Sequence, residues 1–418
     1  MKRILLLFVI LFAGIQAFAL TSFPPDMLAG KTYAERYFYL ELIYEKFMPA
    51  EDSIRFYARA EEIRQLGKET NDRALELEAD LLEMSFIIRN HKSDSARCVN
   101  ALNRLFALVA KENNPVLLAR VNNAAAGYYW DINYEKAFEH FLAEYELIKN
   151  MDVDEYPGKQ KSLYWIGNSY WFFRDYTNAM RYMHEAATTD IFGENLYYTL
   201  QSTNTVGLCH QQLGNLDSAD YYFSRANSIA VTVGNDAWDG ITAGNIGYDL
   251  YLRQQYDHAL PLLQKDLDLS VKRADFGCAS GSLIIIAEIN LAKGDMALAE
   301  KQAHQAREWI QLTGEYGRLK SLYTLMGKVQ QQKGNLAVAK SYGDSSAMVQ
   351  ETLEAKLGAL NTLRIQQKAA LEKEHEAAAR KKTLTSIITA ALALIAVGVI
   401  SISLVRLIVQ FKTSGLRA

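Results

Sequence analysis

The stretch SLYWIGNSYWFFRDYTNAMRYMHEA, residues 162–186, decides how the whole chain is read. Shifted by 40 residues it falls on STNTVGLCHQQLGNLDSADYYFSRA, residues 202–226, and the same shift aligns Gly167, Gly207, Gly247, Ala287 and Gly327 without a gap. Twelve residues further on it aligns Ala179, Ala219, Ala259, Ala299 and Ala339. Between the columns, Gly214, Gly294 and Gly334 each begin a Gly-Asn or Gly-Asp turn. Two columns that keep one period predict a repeated helix–turn–helix, because small residues at fixed positions let paired helices approach closely. The fold class is all-α.

With those residues in hand, the chain resembles the tetratricopeptide repeat (TPR) family. Leu163, Ile166, Gly167 and Tyr170 match the family's first-helix pattern, and Ala179, Met183 and Ala186 its second. Val206, Gly207, Gly214, Ala219, Phe223 and Ala226 repeat the match, as do Tyr323, Met326, Gly327, Gly334 and Ala339. The period of 40 departs from the family's usual length of about 34 and implies longer helices. Upstream, Ala125, Tyr128, Ala137 and Phe141 make a further unit opened by Asn114-Pro115, while Met84, Ile87 and Ala96 make a poorer one. Residues 33–66 are expected to form a capping pair. The resemblance thus implies one TPR-like α-solenoid over residues 20–349, with about seven or eight helix pairs.

The two ends read differently from the middle. Lys2-Arg3, the apolar run ILLLFVILFAG and Ala17-Phe18-Ala19 make residues 1–19 a signal peptide. Residues 350–382 lose their turn residues and read as a juxtamembrane helix. Its stripe of Val349, Leu353, Leu357, Leu360 and Leu363 allows a coiled-coil homodimer, the alternative being a lone helix folded back on the last repeat. Thr383 to Val405 is 23 residues without a charge, the length of a transmembrane helix, and residues 406–418 are a short cytoplasmic tail. The expected protein is single-pass, in a bacterial inner membrane, with the solenoid on the extracytoplasmic side. No cytoplasmic kinase or DNA-binding domain is expected in so short a tail.

The sequence carries no catalytic motif. The seven histidines are dispersed, no HExxH, GxSxG, P-loop or CxxC pattern occurs, and Cys98, Cys209 and Cys278 stand singly. No enzyme, cofactor or metal is expected. With 45 basic against 48 acidic residues, nucleic acid is a poor partner. In TPR proteins the first helices line a concave groove, so the resemblance places the binding candidates there. Asn123, Asn168, Asn204 and Asn245 offer carboxamides that both donate to and accept from a peptide backbone. Tyr164, Trp171, Tyr248 and Tyr251 accompany them as pocket formers, with Tyr129, Trp130 and Phe172 nearby. Two functions follow as expectations. One is a membrane-anchored adaptor that binds a peptide or protein in its groove. The other is the sensor module of a transmembrane signalling system, similar in layout to the TPR halves of bacterial histidine kinases and membrane-tethered transcription regulators.

Overall fold

The computed structural model describes residues 28–47, 53–130, 132–191, 196–355, 357 and 379–389. It divides into two compact units, Met1–Leu357 and Gly358–Ala418. Every long regular element among the described residues is an α-helix. In the first unit these are α1 (Tyr33–Phe47), α2 (Ser53–Glu69), α3 (Arg73–Asn90), α4 (Ser95–Glu112), α5 (Pro115–Tyr129), α6 (Tyr134–Ile148), α7 (Lys159–Phe172) and α8 (Tyr176–Thr188). There follow α9 (Tyr197–Gln212), α10 (Leu216–Thr232), α11 (Asp236–Leu252), α12 (Tyr256–Lys272), α13 (Phe276–Ala292), α14 (Met296–Thr313), α15 (Leu319–Gln332) and α16, residues 336–355.

The backbone shows that the 40-residue period is two equal halves. Residues with left-handed φ recur every 20 positions, at Gly214, Gly234, Gln254, Ala274, Gly294, Gly314 and Gly334. Arg174 continues the series upstream. Each helix plus its turn therefore occupies 20 residues from α10 to α14. Glycine takes that backbone freely, whereas Gln254 and Ala274 adopt it at φ 61° and 57°, against an intrinsic cost of about 1–2 kcal/mol. Directly after the turn an Asp or Asn caps the next helix: Asp175, Asn235, Asp275 and Asp295 each accept a hydrogen bond from the backbone N–H three residues on.

The small-residue columns do the packing expected of them. A Cβ on Gly207 would lie 2.6 Å from the Phe223 ring, and one on Gly247 would lie 2.9 Å from Leu263 Cγ. A Cβ on Gly167 would lie 3.0 Å from Met183 Cγ, a slightly looser contact. Ala179, Ala219, Ala259 and Ala299 have no exposed surface. These contacts join α7 to α8, α9 to α10 and α11 to α12, which makes the first and second helices of each unit a close antiparallel pair.

At the N-terminal end the pairing differs from the expected capping pair. Helix α2 packs mainly on α3, with Gly67 against the Glu76 backbone. Leu40 and Ile43 of α1 join that core, but α1 also reaches across later units. Arg36 pairs with Asp72, the Tyr33 ring lies 4.4 Å from the Arg120 guanidinium carbon, and Glu41 pairs with Lys161 of α7 at 3.3 Å. A single helix thus links α3, α5 and α7.

Residues 1–19, 358–378 and 390–418, which include the expected signal peptide, most of the expected span and the tail, lie outside the described residues. Among the described residues no helix is long and apolar enough to cross a membrane. Residues 379–389 are helical and exposed. Helix α16 continues unbroken past residue 349, so the last repeat and the start of the expected juxtamembrane helix are one element.

Candidate functional site

An α-helix turns about 100° per residue, so each candidate can be placed relative to the small residue of its unit. Tyr164, Asn168, Trp171, Asn204, Asn245, Tyr248 and Tyr251, with Asn123 placed from Ala125, all fall on one arc of roughly 120° along the first helices. The small residue itself faces the second helix of the unit.

The structure gives these residues different surroundings. Asn123 donates to Glu144 Oε2 at 3.0 Å, and Glu144 also accepts from Ser162 and from Tyr156 Oη, so this carboxamide is tied into a closed network. Burial pushes the Glu144 carboxyl up to about 7, against the hydrogen bonds from Ser162, Asn123 and Tyr156 and the charge of Lys161. Tyr164 packs on Trp165 and Tyr198, and burial among neighbouring tyrosines lifts its hydroxyl to about 12. Trp171 is half-buried, and its Nε1 is buried without a hydrogen bond among the described residues. Asn168 is half-buried, and its side chain makes no hydrogen bond among the described residues.

Further along, the candidates come together. Asn245 Nδ2 donates to Asn204 Oδ1 at 2.8 Å, so two consecutive units are bridged by their carboxamides. Tyr248 stacks on Tyr251 with ring centroids 5.9 Å apart, and Tyr251 Oη donates to Glu288 of α13. Burial, reinforced by that hydrogen bond and the Glu288 charge, raises the Tyr251 hydroxyl well above its ordinary range.

Asn245 and Tyr248 line a cleft of about 280 Å³ formed by the middle of α11, Leu263 and Asp266 of α12, the N-terminal half of α13 and the start of α15. Its walls include Ile241, Ile284 and Ile285, and its polar groups are Asp266, Cys278, Ser282, Arg318 and Ser321. Glycines make the room. A Cβ on Gly244 would lie 2.6 Å from Asp266 Oδ2, and one on Gly281 would lie 1.9 Å from Arg318 Nη1. Asp266 belongs to a second helix, α12, and reaches through the glycine gap of α11. Its carboxylate accepts hydrogen bonds from Ser282 Oγ and Ser270 Oγ. Burial raises its carboxyl above the ordinary value, opposed by those hydrogen bonds and by the charges of Arg318 and Arg273. Burial and the nearby Asp275 likewise hold the Cys278 thiol up at about 11, so it is not a thiolate nucleophile at neutral pH.

No protein-family model and no curated protein sequence matches the chain. Solved structures do match. The apo form of RapI superposes with a TM-score of 0.53 at 11% identity, covering 67% of this chain and 99% of RapI. Aspartyl phosphate phosphatase F from Bacillus subtilis gives 0.48 at 16% identity, covering 79% of this chain and 96% of its own. The Rap conjugation gene regulator of plasmid pLS20, solved in complex with the Phr* peptide, gives 0.46 at 15% identity, covering 80% and 97%. The fold is a TPR-type helical solenoid. At these identities the likeness is one of fold alone.

Within that solenoid the sequence reading found Asn245 and Tyr248 but missed Asp266, Gly281, Ser282 and Arg318. A signal was present. Gly240 and Gly244 on α11, and Gly277 and Gly281 on α13, are pairs at four-residue spacing inside helices, where each glycine costs about 1 kcal/mol relative to alanine. Such pairs mark a close approach by another group. Among the described residues no cluster of three or more His, Cys, Asp or Glu could hold a metal ion.

Proposed function

We propose that the protein is a non-catalytic adaptor that binds an extended peptide, or a peptide-like segment of a protein partner, along the first helices of its solenoid. The observation that carries this reading is the cleft itself. Asn245 and Tyr248 border an opening with polar groups on several walls and isoleucines between them, the mixture that ligand sites use. The accessible carboxamide of Asn168 extends the polar track toward the earlier units, and Asn204–Asn245 lies between.

The test is site-specific photocrosslinking in cells. A benzophenone side chain placed at residue 248 or 168 is expected to trap a partner, while one at Tyr221, which is 61% exposed on the second helix α10, is not. Asn168→Ala combined with Asn245→Ala should reduce the adduct at residue 248. Equal adducts at all three positions, or none at 168 and 248, would overturn the groove assignment.

Export and anchoring belong to the same proposal and rest on composition alone, through residues 1–19 and 383–405. Intact-mass analysis for cleavage near Ala19, with alkaline extraction of the membrane fraction, tests them. Recovery of the uncleaved chain in the soluble fraction would remove both.

A further inference from the structure

The last helix pair departs in two places from the pattern that the earlier pairs keep. The second helices from α8 onward open on a large apolar side chain, Tyr176, Leu216, Tyr256, Met296 and Leu336. The first four are half-buried, whereas Leu336 is 67% exposed. Seven residues further on, Met183, Phe223 and Leu263 fill the space beside the small residue of their first helix, and Ala303 is buried at the same position. The last pair has Gly343 there, and a Cβ on it would meet nothing within 4 Å. The result is a trough of about 650 Å³ along α15 and α16, lined by Gly327, Gly343 and Leu336 among others. Its two walls are tied together, with Thr324 Oγ1 and Ser346 Oγ hydrogen-bonded at 3.0 Å and Tyr323 stacked on Tyr342. In the earlier units the following first helix packs on both members of the pair: α9 on α7 and α8, α13 on α11 and α12, α15 on α13 and α14. After α16 the chain does not turn back in step. Residue 354, where the 20-residue rhythm would set the next left-handed turn, is still helical.

We propose that this trough docks an amphipathic helix of a protein partner, acidic along its flanks, which takes the seat that the next first helix would occupy. Shape sets the apolar stripe. Helix α15, seated in the same way on α13 and α14, buries Leu322, Leu325, Met326 and Val329, so the incoming helix needs apolar residues at i, i+3, i+4 and i+7. Charge sets the flanks. Lys320, Lys328 and Lys340 border the trough and no acidic side chain lines it, since Asp344 and Glu351 of α16 fall outside the lining. Lys328 reaches Glu288 at 3.3 Å, while Lys320 and Lys340 make no ion pair among the described residues. Carboxylates beside the apolar stripe complement these lysines. The chain's own continuation suits the seat poorly. Counted by the 40-residue period, the four stripe positions fall on Thr362, Ile365, Gln366 and Ala369, and Arg364 and Lys368 repeat the trough's sign of charge with no acid before Glu372. A second copy set face to face would oppose the same lysines. The trough shares no lining residue with the Asn245 cleft, so this inference does not depend on the groove reading.

The experiment presents the full-length protein with three fluorescent, alanine-based peptides of about 18 residues, long enough to form a helix alone. The first carries leucines at i, i+3, i+4 and i+7 flanked by glutamates. The second has lysines in place of the glutamates, and the third has the composition of the first with its leucines spread around the helix. By anisotropy the first should bind at least about tenfold more tightly than either of the others, with the margin over the second shrinking as salt is raised. Lys320→Glu combined with Lys340→Glu should transfer the preference to the lysine peptide. Gly343→Phe should abolish binding and raise the melting temperature, because it supplies the side chain that Phe223 supplies in its own unit. A benzophenone at residue 347, which is exposed in the trough, should label the first peptide. The peptide comparison is made on the unaltered protein and does not depend on any variant folding. Equal binding of the first and third peptides would reduce the trough to a charged surface and overturn the helix seat. Adducts from residue 347 to residues 358–378 of the same chain, or to a second copy, in place of the peptide would give the trough to that occupant and overturn the proposal. Binding of none of the three would overturn it as well.

Discussion

Asn123 and Asn245 stand at the same place, two residues before the small residue of their units, yet they meet different surroundings. Around Asn123 the inner side of α5 and α7 is covered. Helix α1 lies across it, Tyr156 and Tyr33 pack beside it, and Arg120 pairs with Glu78 underneath. Around Asn245 the same side is open, because Gly244 and Gly281 withhold side chains that would fill it. Repetition of the fold therefore does not repeat the function. The scaffold offers equivalent positions, and what fills the space above them decides which are available to a ligand.

The largest test of this contrast is aimed at the closed half. Arg120 and Glu78 are 8% and 3% exposed and face each other, so Arg120→Ala leaves a buried carboxylate unpaired. The expected loss is about 3–5 kcal/mol in chemical denaturation. A loss below about 1 kcal/mol would show that this half is not sealed from water. The next effect is a pH dependence. Glu144 has an ordinary value of 4.5 and is raised to about 7 in the folded chain, so the native state keeps a proton that the unfolded chain has lost between those values. Stability should therefore fall as pH rises from about 4.5 to 7 and flatten above it, on the order of 3 kcal/mol from this group. Glu144→Gln should remove this group's share of the slope. Asp249, raised to about 7 chiefly by burial, and Asp266 are shifted in the same direction, so the difference between the wild-type and Gln profiles isolates the contribution of Glu144.

Much of the fold was legible because one small residue per unit has one job. Gly207 is needed by Phe223 and Gly247 by Leu263, and a steric requirement repeated at fixed spacing leaves a visible column. The arc of candidate residues followed from that column by helical geometry. What it could not show was occupancy. Asn123 and Asn245 have the same offset, and only non-local contacts, α1 on Arg120 and Asp266 through the gap at Gly244, separate them. Arg318 was less visible still, since it belongs to a turn that breaks the 20-residue rhythm and no column predicts it. The glycine pairs at 240/244 and 277/281 were the one local clue.

The smallest effects sharpen the contrast most directly. Asn123→Ala deprives Glu144 of a hydrogen-bond donor inside a closed network, which should cost about 1–3 kcal/mol of stability. Asn168→Ala removes a carboxamide with no protein partner among the described residues and should change stability by less than about 0.5 kcal/mol. The two substitutions are chemically identical and sit on the same arc of neighbouring first helices. If the groove reading is right, their order reverses when partner binding is measured in place of unfolding: Asn168→Ala weakens photocrosslinking at residue 248 and Asn123→Ala leaves it unchanged. A side chain that stabilises the fold is already satisfied, and one that the fold leaves unsatisfied is free to recognise a ligand. Parallel behaviour of the two variants in both measurements would break that division.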